Sequence, residues 1–276
     1  MNDGDKNTGQ QQPAEGDVMP SRPQKFQPKL LEKIPHHGTD ITSFRFARND
    51  EQRNYYLNYK AGQYSVVDLG TKEDPEGPVR SFTIASSPTE KDFILLSTRM
   101  RDTLFKKKLA SLDLGTQVNI IAPMGKFVLP DNHSSKSVVF LSGGIGVTPF
   151  RSMVKYATDK QLPLKITVFD SNRDQGNILY KKEFDECVNE NKNFKIIYTI
   201  ADESQESSSI PNDDWKGERG FINKAMLVKY LTTDELDNSI FYICGPPGML
   251  KTMQTLLQDD LRIPKERINI EEFTGY

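Results

Sequence analysis

The sequence predicts a small antiparallel β-barrel followed by a doubly wound parallel α/β sheet, and three observations predict it. The chain has 276 residues, a length that fits two domains of ordinary size better than one. From Phe26 to about Pro130 it is written in short segments that alternate apolar and polar residues, as half-buried strands do. From Ser137 onward, continuous apolar runs alternate with helical segments, the pattern of a parallel sheet covered on both faces. The expected organisation is a tail over 1–25, a barrel over 26–130 and an α/β domain over 131–276.

The tail, with its Gln, Gly, Asp and Pro, offers almost no apolar anchors and is expected to be disordered. In the barrel half, Ile41-Thr42-Ser43-Phe44-Arg45-Phe46 and Gln117-Val118-Asn119-Ile120 alternate cleanly, and Gln63 to Leu69, Ser81 to Ala85 and Phe93 to Ser97 add three further strands. One helix interrupts them over Thr103 to Leu109, with Asp102 or Thr103 placed to cap it. In the second half, strands are expected at Val138–Leu141, Leu164–Phe169, Phe194–Ile200, Ile240–Cys244 and Arg267–Ile270. Helices are expected at Phe150–Asp159, Ile178–Asn189, Asn223–Leu231 and Gly248–Leu261. Ligands of such sheets lie beyond the carboxyl ends of the strands, so the loops after Leu141 and Ile243 are the places for a site.

Composition excludes several functions. Lys plus Arg number 36 against 38 Asp plus Glu, without the basic excess of a nucleic-acid binder. No apolar run approaches the roughly 20 residues of a membrane span, and no secretory signal is visible. Two cysteines, Cys187 and Cys244, and three histidines supply neither a disulfide framework nor a metal centre, and free thiols favour the cytoplasm.

Four segments carry chemistry. Ser142-Gly143-Gly144-Ile145-Gly146-Val147-Thr148-Pro149 follows the first parallel strand and opens a helix at about Pro149. It reads equally as a phosphate-binding helix N-terminus and as a tight turn whose glycines serve packing. Cys244-Gly245-Pro246-Pro247-Gly248-Met249 is a second strand-to-helix turn, leaving the cysteine at the strand's end. Alone, it is most simply a buried thiol. Arg80-Ser81-Phe82-Thr83 places an arginine and an aromatic on one face of a strand, suited to a diphosphate and a planar ring, although a surface arginine beside a core phenylalanine is a common arrangement. Glu271-Glu272-Phe273-Thr274-Gly275-Tyr276 closes the chain on aromatics.

In this order, the four segments resemble the ferredoxin–NADP reductase superfamily over residues 26–276. The resemblance implies a Greek-key FAD-binding barrel followed by a pyridine-nucleotide domain. It implies that Arg80 holds the FAD diphosphate, that Phe82, standing where tyrosine is usual, packs on the isoalloxazine, and that Thr83 lies near flavin N5. Ser81, Thr98, Thr103 and Phe105 would complete the flavin site. Gly143, Gly144, Gly146, Thr148 and Pro149 would line the nucleotide diphosphate. Cys244, with Gly245, Pro246 and Met249, would lie beside the nicotinamide, and Phe273 and Tyr276 would cover the flavin. Asp202, in Ile200-Ala201-Asp202-Glu203, favours NADH by repelling a 2′-phosphate, whereas Asn172 and Arg173 leave NADPH possible. The implied activity is an FAD-dependent NAD(P)H oxidoreductase: hydride passes from nicotinamide to flavin, and electrons go on to a separate carrier such as ferredoxin, an iron–sulfur oxygenase component or a haem protein. A reductase of free flavin or a small acceptor, and a flavin-binding electron-transfer component of a larger complex, are the alternatives. A basic cluster, Arg99, Arg101 and Lys106-Lys107-Lys108, is read as a solvated helix face more readily than as a docking patch.

Overall fold

The computed structural model describes residues 22–131, 137–201 and 215–272. Its first half contains strands β1 (Gln24–Phe26), β2 (Leu30–Pro35), β3 (Ile41–Ala47), β4 (Asn49–Asp50), β5 (Tyr55–Tyr56), β6 (Tyr64–Asp68), β7 (Val79–Thr83) and β8 (Phe93–Arg99). Helix α1 (Leu104–Ser111) and strand β9 (Asn119–Met124) complete it. All pairings here are antiparallel, in a four-stranded sheet β1-β9-β6-β7, a three-stranded sheet β2-β3-β8 and the small β4-β5 ladder. The sheets and α1 enclose one core that includes Phe26, Phe44, Phe46, Phe82, Leu96 and Phe105. Strand β1 begins at Gln24, two residues before the expected start of the barrel. The strand expected from Gln117 starts at Asn119 instead, because Gln117 makes only an isolated bridge to Lys29.

The second half runs β10 (Ser137–Gly143), α2 (Thr148–Asp159), β11 (Lys165–Asn172), α3 (Lys181–Glu190), β12 (Phe194–Ile200), β13 (Glu218–Arg219), α4 (Lys224–Tyr230), α5 (Thr233–Asn238), β14 (Ile240–Gly245), α6 (Pro247–Thr255) and β15 (Ile268–Glu272). The six strands form one parallel sheet in the order β13-β12-β11-β10-β14-β15. Val138, Phe140, Ile166 and Val168 pack on α2 on one face, and Val139, Leu141, Phe169 and Ile243 pack towards α4 and α6 on the other. Both faces of each central strand are therefore buried, as the unbroken apolar runs require. Helix α3 begins later than its apolar pattern suggests, because Asp174 caps a short turn over Gln175–Asn177 and Tyr180 takes a left-handed φ of 59°. The order reverses between β10 and β14, which places the cleft at their carboxyl ends.

The two halves share a core: Ala85, Leu95 and Phe127 of the barrel side join the α2 face of the parallel sheet. At its centre lies Arg151 of α2. Its Nη1 donates to the Ala85 carbonyl at 2.8 Å and to Glu90 Oε2 at 2.8 Å, and its Nη2 to Glu90 Oε1 at 3.1 Å and to Glu183 of α3. Burial alone would raise the Glu90 carboxyl; the Arg151 hydrogen bonds and charge overcome this and hold it below the usual carboxylate range.

Removing one partner of such a buried pair leaves a charge uncompensated. Arg151→Met is expected to cost about 3–5 kcal/mol, read as a lowered thermal midpoint. The Arg151→Met/Glu90→Gln double variant should lose less than the sum of the singles. Because the folded Glu90 pKa is depressed, its contribution is present above the unfolded pKa and lost as pH falls through the folded one. The gap between wild type and Glu90→Gln should therefore close in acid.

Candidate functional site

The flavin-side residues gather at the start of α1. Thr103, the expected cap, accepts from the Lys106 amide at 3.2 Å. Arg80 and Phe82 alternate inward on β7 while Ser81 faces outward. The Arg80 guanidinium lies 5.1 Å from the Phe105 ring centre, and the Phe82 and Phe105 centroids are 6.0 Å apart. The Lys106 ammonium sits 4.7 Å from the Phe82 ring centre and donates to Thr98 Oγ1. Five expected site residues thus meet at one place, with Thr83 buried at the end of the same strand. Phe82 is packed in the barrel core, the role a plain core phenylalanine would have.

The basic cluster is not one solvated face. Lys106 is buried, and its pKa is pushed down to about 8 by desolvation first and by Arg80 next. Lys107 pairs with Asp102 at 2.6 Å on the surface. Arg99 pairs with Asp40 and reaches across to the nucleotide loop, where a Cβ on Gly144 would lie 3.2 Å from its Nη2. Successive helix positions turn by about 100°, so neighbouring lysines cannot share one environment.

Two groups converge on an anion in this corner, and sequence reasoning missed it. Asp74 accepts from Arg80 Nη2 at 2.7 Å and from the Phe105 amide, in the first turn of α1, at 2.8 Å. The Phe105 N–H is the main cause holding its carboxyl below the usual range. A guanidinium fork and a helix N-terminus are donors that suit phosphate oxygens. The Asp74 carboxylate stands in for such an anion, so these donors fit the FAD diphosphate in chemical kind. An acid six residues before Arg80, inside a Pro/Gly turn, is the signal that could have found it.

In the parallel half, β10 and β14 lie side by side with Leu141 beside Ile243 and Ser142 beside Cys244, so the two expected loops adjoin. Their glycines serve that meeting. A Cβ on Gly146 would overlap the Cys244 carbonyl, and one on Gly143 would overlap Met249 Sδ. One on Gly245 would meet the same sulfur at 2.8 Å. Gly144 takes a φ of +55° in the turn before α2. Thr148 donates from Oγ1 to the Ile145 carbonyl at 3.0 Å, and Pro149 stands in the first turn of α2. Cys244 is fully buried, and burial followed by the Glu271 charge pushes its thiol well up, so it is a neutral group. Asn172 donates from Nδ2 to Asp170 Oδ2 at 2.7 Å, and Ser142 donates to the other oxygen. Arg173 is exposed in the loop beyond β11. Asp202, Phe273 and Tyr276 lie outside the described residues.

Asp170 is wholly buried, and burial pushes its pKa up to about 6. A folded pKa above the unfolded one gives stability below the unfolded value that is lost as pH rises through the folded value. Relative to Asp170→Asn, the wild type is expected to lose roughly 3 kcal/mol between about pH 4 and pH 7. Denaturant titrations across that range measure the difference, which should be flat above it.

Comparisons with known proteins agree with this geometry. Residues 29–129 match the family model of an oxidoreductase FAD-binding domain, and residues 140–255 that of an oxidoreductase NAD-binding domain. The chain is 29% identical over 277 residues to the F subunit of the Na(+)-translocating NADH-quinone reductase of Idiomarina loihiensis, covering 95% of this chain and 62% of that protein. The corresponding Serratia proteamaculans protein is 29% identical over 256 residues, covering 88% and 58%. The chain thus spans about three-fifths of these curated relatives. Among solved structures, the Amycolatopsis cytochrome P450 reductase GcoB matches with a TM-score of 0.74 at 20% identity over 92% of this chain and 71% of that one. The cytochrome b5 reductase domain of Ulva prolifera nitrate reductase matches with a TM-score of 0.72 at 22% identity over 90% and 97%. The antiparallel barrel is an FAD-binding domain, the parallel sheet is an NAD-binding domain, and the chain belongs to the ferredoxin–NADP reductase superfamily of oxidoreductases.

Proposed function

We propose that this oxidoreductase takes reducing equivalents from NADH and delivers them one at a time to a separate carrier protein. The observation that supports the reading best is the joining of the two candidate cofactor corners by one buried interface. Arg80 and the start of α1 lie on the barrel, and the Gly144 turn and the start of α2 lie on the sheet. Arg151 ties the helix of the second corner to the strand end of the first.

Bound FAD supplies a two-electron acceptor for hydride that can release its electrons singly. The chain's own residues bind and align. Arg80 and the α1 amides hold the flavin diphosphate. The backbone of Gly144 to Thr148, at the N-terminus of α2, holds the nucleotide diphosphate, with Arg99 beside it. Cys244, buried and protonated, offers a small apolar wall at the end of β14, and Thr83 closes the flavin strand. Positioning and exclusion of water, rather than acid–base catalysis, are what these groups provide. NADH is favoured over NADPH because it is the donor of the quinone reductases whose subunits this chain resembles. A protein acceptor is in keeping with the similarity to a cytochrome P450 reductase and to the cytochrome b5 reductase domain of a nitrate reductase.

Anaerobic mixing of the FAD-loaded chain with stoichiometric NADH, followed by flavin absorbance, tests this. Rapid bleaching by NADH and much slower bleaching by NADPH are expected. A yellow protein that neither nucleotide bleaches contradicts the reading.

A further inference from the structure

The strongest cation and the helix N-terminus of the flavin corner are both directed at a side chain of the barrel itself. The Arg80 side chain is 7% exposed and the Asp74 side chain 1%. One Asp74 oxygen faces the guanidinium and the other faces the α1 amide, at hydrogen-bond distances of 2.7 and 2.8 Å. This is how two oxygens of one phosphate would meet the same donors. The loop that carries Asp74 is built to deliver it. Its amide donates to the Thr71 carbonyl at 3.1 Å, the Glu76 amide closes on its Oδ1 at 3.0 Å, and the Gly77 amide closes on its carbonyl at 2.8 Å. Arg80 Nη1 donates to the carbonyls of Glu76, Gly77 and Val79. The loop joins β6 to β7 and is flanked by Gly70 and Gly77, both with positive φ and with open space where a side chain would stand. The loop lies between the strands, so its withdrawal would leave the β6 and β7 ladder in place.

Resting on the reading that the barrel holds FAD, we propose that Asp74 is an internal competitor for the flavin diphosphate and so sets flavin affinity. In the flavin-free chain the carboxylate fills the anion position between Arg80 and α1. FAD binds by exchange, a phosphate taking the place of the carboxylate as the loop over residues 71–77 withdraws. Charge favours exchange over sharing. Arg80 already faces Asp74 and Glu76, and a diphosphate beside both would crowd four negative charges around Arg80, one helix terminus and Lys106. Asp74 is held ionised by the α1 amide and by Arg80, so the competition persists at neutral pH. A flavin without phosphates does not meet it.

The test is titration of the flavin-stripped full chain with FAD and with riboflavin, followed by fluorescence quenching, alongside stopped-flow association. Asp74→Asn is expected to bind FAD roughly tenfold or more tightly and riboflavin unchanged. Glu76→Gln, whose half-exposed carboxylate pairs with Arg80 at 3.0 Å, should shift FAD affinity by less than about threefold. In the wild type, the observed rate of FAD association should level off at high FAD as loop opening becomes limiting. In Asp74→Asn it should rise linearly. An Asp74→Asn protein of unchanged thermal midpoint that binds FAD no more tightly overturns the competition and makes Asp74 an anchor for Arg80. Should that variant not fold, a wild-type association rate linear in FAD overturns the proposal by itself. Folded wild type and variant that both fail to bind FAD overturn the underlying flavin reading as well.

Discussion

The buried Arg151 guanidinium is the interaction on which the geometry of the whole molecule depends. It belongs to α2, the helix that starts at the glycine turn of the parallel sheet, yet it donates to the carbonyl of Ala85, two residues beyond the strand that carries Arg80. Glu90 from the barrel and Glu183 from α3 neutralise it, so its desolvation is offset by charges drawn from both halves. The next residue repeats the link, because Ser152 Oγ donates to the Ser86 carbonyl at 2.6 Å. Tyr59 anchors the same segment from within the barrel through Ser86 and Ser87. A second tie lies nearby, where Ser97 of β8 meets the Tyr180 hydroxyl at 2.5 Å. Polar groups in a dry interface are satisfied in only one relative placement of the two halves, which is what a two-cofactor cleft requires.

Much of this was legible in the sequence, for identifiable reasons. Periodicity changes from two to a buried-run grammar near Ser137, and the structure changes there from antiparallel to parallel. Thr103 caps α1 because a hydroxyl before an apolar helical pattern has few better uses. The loops after Leu141 and Ile243 adjoin because doubly wound sheets reverse strand order once, and the turn-forming residues marked where. The glycines of the loop after Leu141 were ambiguous between ligand approach and packing. A side chain on Gly143, Gly146 or Gly245 would strike Met249 or Cys244, so packing asks for glycine there whatever the loops bind, and Gly144 takes a backbone conformation that glycine adopts freely.

What was not legible is which charge meets which. Arg80 was identifiable as sharing a strand face with Phe82, but its burial and its partner Asp74 come from a loop whose path depends on the strands around it. Lys106 reads as one of three solvated lysines until the tilt of α1 against the barrel is known, after which it is the one turned inside. Arg151 and Asp170 look like ordinary charges in a helix and at a strand end, and only burial against other elements makes them decisive. Pairings of this kind join residues distant in the chain, and local pattern holds no record of them.

An interface centred on Arg151 that fixes the flavin corner against the nucleotide corner predicts that the two halves unfold as one cooperative unit. Native-state hydrogen exchange on the intact chain tests this most directly, by comparing amides of β7 and β8 with those of α2 and β10. All four segments are predicted to share one opening free energy and one denaturant dependence, equal to those of global unfolding. Exchange of the barrel strands through an opening that leaves α2 and β10 protected, or the reverse, would contradict it.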